Sequence, residues 1–174
     1  SARGETLRGF KSLPRRVMGL ALLVAIDVVV VVALSVLVGA WAPRWPDRWL
    51  MAGPLPRLPW ETPSFFRRLR VARWARRIPE LGGTFGGQPK DRIPGHTPRE
   101  LRGYLVEVRR AEWVHWGSIL GSLTLFAFNP WWLAAMFVLV VTVGNSLFLI
   151  VLRNNRFRIE RILGRATQLG SGNA

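Results

Sequence analysis

The sequence contains no cysteine. Disulfide bonds, thiolate metal ligands and a cysteine nucleophile are therefore excluded. Lysine is almost as scarce: Lys11 and Lys90 are the only two, so arginine carries nearly all of the positive charge. Arginine suits bidentate recognition of phosphate or carboxylate groups. Histidine occurs only as His96 and His115, which leaves few side chains able to exchange a proton near neutral pH.

Acidic residues are also few, 10 against 25 basic ones, and the 174-residue chain has a formal charge of +15. A soluble protein this basic would be a candidate for nucleic-acid binding. The apolar residues, however, are gathered in blocks, and Leu20–Leu37 and Trp131–Leu152 are each long enough to cross about 30 Å of hydrocarbon. We therefore expect membrane lipids, and no nucleic acid, as partners of the positive charge.

A third apolar segment, Ala111–Phe128, is shorter and begins with a polar turn. Tryptophans flank the apolar blocks, as in the aromatic belt at a headgroup boundary. Ser64–Ile78 places apolar residues on one side and arginines elsewhere, a pattern typical of an amphipathic helix on a membrane surface. The sequence therefore predicts an all-α integral membrane protein with three membrane-embedded helices and interfacial amphipathic helices.

The predicted organisation has four parts. Residues 1–16 form a basic arm, 17–41 the first transmembrane helix, 42–165 the interfacial helices with two further membrane helices, and 166–174 a flexible tail. The apolar run after the arm is longer than that of a signal peptide and contains Asp27, so we expect it to be retained. Asp27 is interpreted either as a carboxylate paired with a neighbouring helix or as a functional acid. The positive-inside tendency places the long basic middle region in the cytoplasm of a multi-pass cell-membrane protein.

A polar cluster lies at the mouth of the third apolar segment. Glu107, Glu112 and His115 fall within about 140° of one another on an α-helix, and Arg110 lies beside Glu107. Ionisable groups at a membrane boundary are costly and are a functional-site hypothesis by default. A capping box at Thr97 predicts where the helix that carries them begins. The cluster is typical of proton transfer on a lipid.

The last apolar segment carries polar groups near its end. Asn145, Arg153 and Arg156 share a helix face within about 80°. Such arginines are either snorkelling anchors or ligand-binding groups. Upstream, the glycine-rich loop that ends at Lys90 can bring backbone amides close to a ligand, but it lacks the ending of a P-loop.

Three ordered motifs span about residues 70–165. They are Trp74-Ala-Arg-Arg-Ile-Pro-Glu-Leu-Gly82, then Glu107-x-x-Arg-Ala-Glu-x-x-His-Trp116, then Asn145 followed by Arg153-Asn-Asn-Arg-Phe-Arg-Ile159. Together they resemble the glycosyl-diaponeurosporenoate acyltransferases, small integral membrane enzymes that acylate a glucosyl carotenoid. The resemblance implies O-acyl transfer from acyl-CoA or a similar donor to a hydroxyl of a glycolipid or lipid-linked sugar. We expect no cofactor, and the positive-inside tendency places the active site at the cytoplasmic interface.

Within that hypothesis, a base must take the proton of the attacking hydroxyl. The expected catalytic residues are His115 as general base, Glu112 to orient it, and Glu107, which either orients it likewise or pairs with Arg110 as structure. The expected substrate-binding residues are Arg110, Asn145, Arg153, Asn155, Arg156 and Lys90. Of these, Arg153 and Arg156 are expected to bind donor phosphates or to stabilise the oxyanion. No serine or cysteine elbow is evident, so we predict direct transfer without an acyl-enzyme.

The same residues are compatible with two other functions. Glu112-x-x-His115 has the spacing of a di-iron ligand pair, but a second such pair is lacking, so we predict no metal site. In a non-enzymatic membrane subunit the polar cluster would only fix helix packing. In that case His115→Ala would perturb assembly and not turnover. The sequence leaves the oligomeric state open.

Overall fold

The computed structural model describes residues 15–52, 58–75 and 97–171 of the chain. All regular structure in these ranges is helical, which confirms the predicted all-α fold. The helices are α1 (Arg15–Trp41), α2 (Asp47–Ala52), α3 (Pro63–Arg68), α4 (Val71–Trp74), α5 (Pro98–Ser122) and α6 (Trp131–Ser171). Short 3-10 stretches follow α1 at Ala42–Arg44 and α5 at Leu123–Ala127.

Two helices in the described ranges are long and apolar enough to cross a membrane, one in Gly19–Arg44 and one in Trp131–Ala166. Their most apolar windows are only 6% and 17% buried. A helix in the core of a soluble protein would bury this surface, whereas a membrane helix leaves it for lipid to cover. The two apolar helices are therefore compatible with association with a membrane.

The prediction of three membrane helices is wrong in number. The segment expected to form the third, Ala111–Phe128, starts inside α5 beside the charged Glu112. The α-helix then ends at Ser122, and the remaining apolar residues form the 3-10 stretch and a turn. The charge at one end and the early end of the helix leave too short a run of apolar α-helix to span a bilayer.

The predicted amphipathic helix also differs from the structure. In its described part, the chain forms two short helices, α3 and α4, separated by Arg70 in a left-handed conformation with φ 50°. Thr62 caps α3 by accepting a hydrogen bond from the amide of Phe65, and Pro63 occupies the first turn. The residues after Ala75 in that prediction lie outside the described ranges.

Helices α5 and α6 form an antiparallel pair around a small apolar core. The core combines Leu101, Tyr104, Leu105 and Val108 of α5 with Leu152 and Ile159 of α6. The predicted capping box begins α5: Thr97 accepts from the amide of Glu100, and the Glu100 carboxylate accepts from the amide of Thr97. Helix α6 continues to Ser171, into the segment predicted as a tail.

Helix α1 packs against α5 through two glycines. A Cβ at Gly117 would lie 3.0 Å from Val38 Cγ1, and one at Gly121 would lie 3.7 Å from Leu34 Cδ1. Spacing of four residues places both glycines on one face of α5, where the missing side chains allow the two backbones to approach closely. The contacts run in opposite directions along the two chains, so α1 and α5 are antiparallel.

Asp27 lies where α1 meets the turn between α5 and α6. Its carboxylate is completely buried, and Asn129 Nδ2 donates to Asp27 Oδ1 at 2.8 Å. The same amide nitrogen donates to the carbonyl of Leu125 at 3.2 Å. Of the two interpretations of Asp27, the contact agrees with a carboxylate paired to a neighbouring element. Asp27 thus joins α1 to the rest of the protein at about the middle of that helix.

The glycine contact generates a stability prediction. Gly117→Leu should destabilise the protein by about 1–3 kcal/mol, because the new side chain must displace Val38 from the α1–α5 contact. The measurement is thermal unfolding of the purified protein in detergent.

Gly103→Leu is the matched control, since Gly103 is also in α5 and has no atom within 4 Å of an added Cβ. This change should leave the unfolding temperature unchanged or raise it, because leucine is the better helix former. An equal decrease for both variants would contradict the α1–α5 packing described above.

Candidate active site

The centre of the site is a buried carboxylate, Glu112 of α5, with no exposed surface. Arg156 Nη1 of α6 donates to Glu112 Oε2 at 2.9 Å, and Arg153 Nε lies 3.8 Å from the same oxygen. Both arginines are themselves buried, with 1% and 3% of their surface exposed. Burying an ionised group is costly unless an opposite charge compensates it, so these three residues hold α5 and α6 in one register.

A second carboxylate completes the network. Glu61, in the segment before α3, forms a salt bridge with Arg153 Nη1, and the side chains of both residues are almost fully buried. Glu61 Oε2 also accepts from the amide of Leu58 at 3.2 Å. Two carboxylates and two guanidinium groups therefore balance in charge. Glu61 could not be recognised from the sequence, because no local pattern marks it and its partner Arg153 lies far along the chain.

His115 lies one helical turn beyond Glu112 on the same side of α5. Its Nδ1 is 2.7 Å from Asn145 Oδ1 of α6, and Phe148 stacks on its ring at 4.9 Å with an interplanar angle of 8°. Asn145 Nδ2 donates to the carbonyl of Val141 at 2.8 Å, which turns the amide oxygen towards the imidazole. A carbonyl oxygen can only accept, so His115 Nδ1 is the donor. In the neutral ring, Nε2 then carries the lone pair.

Trp116 connects the two parts of the site. The Arg153 guanidinium carbon lies 5.8 Å from the centre of the Trp116 ring, within the range of a cation–π contact. Trp116 follows His115 in the chain, so the ion-pair network and the histidine are neighbours along α5. Of the residues proposed from the sequence, Glu112, Arg153 and Arg156 meet in one network, and His115 and Asn145 meet in a pair beside it.

The remaining predicted site residues lie elsewhere. Glu107 forms an ion pair with Arg110, and Arg110 Nη2 also lies 2.8 Å from Asp47 Oδ1 of α2. Asp47 is the first residue of α2, and its side chain is exposed. Asn155 is buried on α6, but helical periodicity places it on a different face from Arg153 and Arg156. Lys90 lies outside the described residues.

Arg109 of α5 holds α2 against α5. Its Nη1 donates to the carbonyls of Leu50 and Met51, at 3.0 Å and 2.8 Å. These carbonyls belong to the last turn of α2, where the helix leaves them without internal partners. The basic residues at the start of the central motif thus position α2.

In the described part of the chain, no group of three or more potential ligands is arranged to hold a metal ion. His96, the second histidine of the sequence, lies outside that part.

Ionisable groups buried beside exposed apolar helices mark a candidate functional site. The model of the glycosyl-4,4'-diaponeurosporenoate acyltransferase family matches residues 46–165, so the chain belongs to that acyltransferase family of carotenoid and glycolipid biosynthesis. This confirms the resemblance inferred from the three motifs. The match includes the four network residues together with His115 and Asn145, and the whole of α1 lies outside it. No curated protein and no solved structure matches the chain significantly.

The ion-pair network generates a second prediction. Glu112→Gln should cost about 3–5 kcal/mol of stability, because it leaves buried positive charge uncompensated. Combining it with Arg156→Gln should cost less than the sum of the two single changes, since the groups interact directly. Chemical unfolding of the four proteins in detergent measures the difference.

The control cycle is Glu107→Gln with Arg110→Gln, an ion pair on the same helix that is more exposed. Its single changes should cost no more than about 1 kcal/mol, because solvent screens the charges. Equal costs in the two cycles would show that Glu112 does not hold the helices together.

Proposed function

We propose that the protein transfers an acyl group to a hydroxyl of a glycolipid or lipid-linked sugar, with His115 as the general base. The hydrogen bond between His115 Nδ1 and Asn145 Oδ1 is the observation that carries this proposal. It leaves Nε2 as the proton acceptor, as the general base of an acyl transfer requires. Phe148 restricts the orientation of the ring by stacking on it.

The reaction is a direct transfer. Nε2 of His115 takes the proton of the acceptor hydroxyl while its oxygen attacks the carbonyl carbon of the acyl donor. The tetrahedral intermediate then collapses, the bond to the leaving group breaks, and the leaving group receives the proton from Nε2. A thioester such as acyl-CoA, or an oxygen ester, supplies the acyl group. Neither a cofactor nor a nucleophilic residue is needed.

The position of His115 along the bundle favours a lipid-linked acceptor. Asn145, its partner, lies eight residues before Arg153, which corresponds to about 12 Å along α6 towards its apolar end. The base is therefore displaced from the charged layer towards the exposed apolar helices. An acceptor hydroxyl attached to a lipid can reach this depth while its chains remain among the membrane lipids. We place the protein in the cell membrane as a multi-pass protein with this site at the cytoplasmic interface.

The arrangement changes the roles expected for the arginines. The guanidinium groups of Arg153 and Arg156 are engaged by Glu61 and Glu112. We therefore assign these two arginines, with Glu112, to positioning α5 against α6, and not to binding donor phosphates. Asn145 is a positioning residue for His115.

Removing the imidazole of His115 tests whether this residue is the general base. His115→Ala should lower the rate of CoA release from acyl-CoA and a glycolipid acceptor by about 10²–10⁴-fold, the usual contribution of a general base. The control is Val114→Ala, which shortens a partly buried side chain at the neighbouring position of α5. This change should keep the rate within about twofold, since Val114 contributes no proton acceptor. Unfolding temperatures of both variants in detergent show whether they are folded. A folded His115→Ala variant with wild-type turnover would reject the base and favour the non-enzymatic subunit.

Changing Asn145 tests the positioning. Asn145→Asp replaces the neutral acceptor at His115 Nδ1 with a charged one, which favours the protonated imidazole. The acid limb of the rate–pH profile should then move to higher pH. Asn145→Ala should lower turnover without that displacement, because it removes the hydrogen bond but adds no charge. Identical pH profiles for Asn145→Asp and the wild type would remove Asn145 from the proposed mechanism.

A further inference from the structure

A cleft of about 310 Å³ lies between the α3–α4 segment and residues 154–161 of α6, apart from the His115 site. Three arginines line it: Arg67 of α3 with Arg158 and Arg161 of α6. All three are exposed. Asn154 adds an amide, and Phe66 and Phe157 supply an apolar floor.

The charge of this cleft is uncompensated. Within the described ranges, none of its three arginines forms a salt bridge. The nearby carboxylates have other partners: Glu61 pairs with Arg153, Glu112 with Arg156, and Glu160 lies 4.0 Å from Arg156 Nε. Three like charges around one cavity repel each other unless an anion binds between them. Guanidinium groups are especially suited to phosphate.

The floor of the cleft connects it with the buried network. Phe66 is almost fully buried, and its ring centre lies 5.6 Å from that of Phe157. The guanidinium carbon of Arg156, the partner of Glu112, lies 5.8 Å from the centre of the Phe157 ring. A single aromatic ring therefore separates a ligand in the cleft from the ion pairs that position α5. An apolar floor below a cationic rim fits a ligand with phosphate groups next to a less polar part.

We infer that this cleft binds the phosphate groups of the acyl donor, an inference that rests on the proposed function. Arg67, Arg158 and Arg161 contact the phosphate oxygens, Asn154 donates a further hydrogen bond, and the phenylalanine floor contacts the adjoining part of the donor. The same phosphate chemistry occurs in a CoA thioester and in an acyl-bearing anionic phospholipid. In the first donor the phosphate belongs to coenzyme A, and in the second it belongs to the lipid headgroup. The binding experiment distinguishes between these two donors.

The test measures binding by the full-length chain in an uncharged detergent. The probes are coenzyme A and the short-chain lipid dihexanoyl phosphatidylglycerol, each titrated by calorimetry. The variant R67Q/R158Q/R161Q should bind one of the two probes at least about tenfold more weakly, because it removes three charge-assisted contacts. Loss of coenzyme A binding identifies a CoA thioester donor, and loss of lipid binding identifies a phospholipid donor.

The matched control is R48Q/R99Q/R102Q, which removes three exposed arginines from α2 and α5 and lowers the net charge equally. Its affinity for both probes should stay within about twofold of the wild type, since none of these residues lines the cleft. Equal weakening in both triple variants, or no binding of either probe by the wild type, overturns the inference. So does unchanged binding by the cleft variant.

Measuring turnover distinguishes a failure of the phosphate-site inference from a failure of the proposed function. In the transfer assay the cleft variant should raise KM for the donor at least about tenfold and leave kcat within about threefold, because the arginines bind the donor away from the reacting atoms. An unchanged donor KM overturns the assignment to the donor. If the cleft variant loses phosphate binding but the wild type transfers no acyl group from either donor, the proposed function fails and the phosphate site remains.

Discussion

The arrangement of this protein depends on the compensation of one buried carboxylate. Glu112 has no exposed surface, and its carboxylate lies beside the two arginines of α6. Arg153 in turn requires Glu61, which brings the segment before α3 against the helix pair. Charge balance thus joins three separate parts of the chain. Such networks are weak contributors to net stability, but removing one member leaves a charge that nothing else can neutralise.

This constraint determines the positions of the groups proposed for chemistry. Once α5 and α6 are held in register, His115 faces Asn145, and the amide contact with Val141 decides which ring nitrogen carries the proton. On the other side of Phe157, the same helix presents Arg158 to the cleft. The proposed base towards the apolar helices and the proposed phosphate-binding cleft towards the basic end suit an acyl transfer in which one substrate is a lipid and the other carries phosphate. The buried network between them acts as the frame for both.

Much of the site was visible in local patterns. The i, i+3 spacing of Glu112 and His115 and the shared face of Asn145, Arg153 and Arg156 follow from helical periodicity, and the capping box at Thr97 begins α5 as expected. The number of membrane helices could not be predicted from local patterns, because apolar composition does not reveal that α5 ends at Ser122. The amphipathic pattern likewise did not reveal that Arg70, in a left-handed conformation, separates α3 from α4. Glu61 and the partner of Asp27 were beyond sequence analysis, since both contacts join residues far apart in the chain.

Local residue patterns are sufficient to define the class of the protein: its helical periodicity, its long apolar segments and the ordered motifs that place it in an acyltransferase family. These features depend on neighbouring residues, whose spacing along a helix is known in advance. Which charges neutralise one another, in contrast, is apparent only once the helices are packed. The packing pairs Glu112 with the arginines and leaves Asn145 for His115, and it leaves Arg67, Arg158 and Arg161 around an open cleft. The pairing of charged side chains from different helices depends on packing and burial, and local spacing along the chain does not reveal which distant residues will meet.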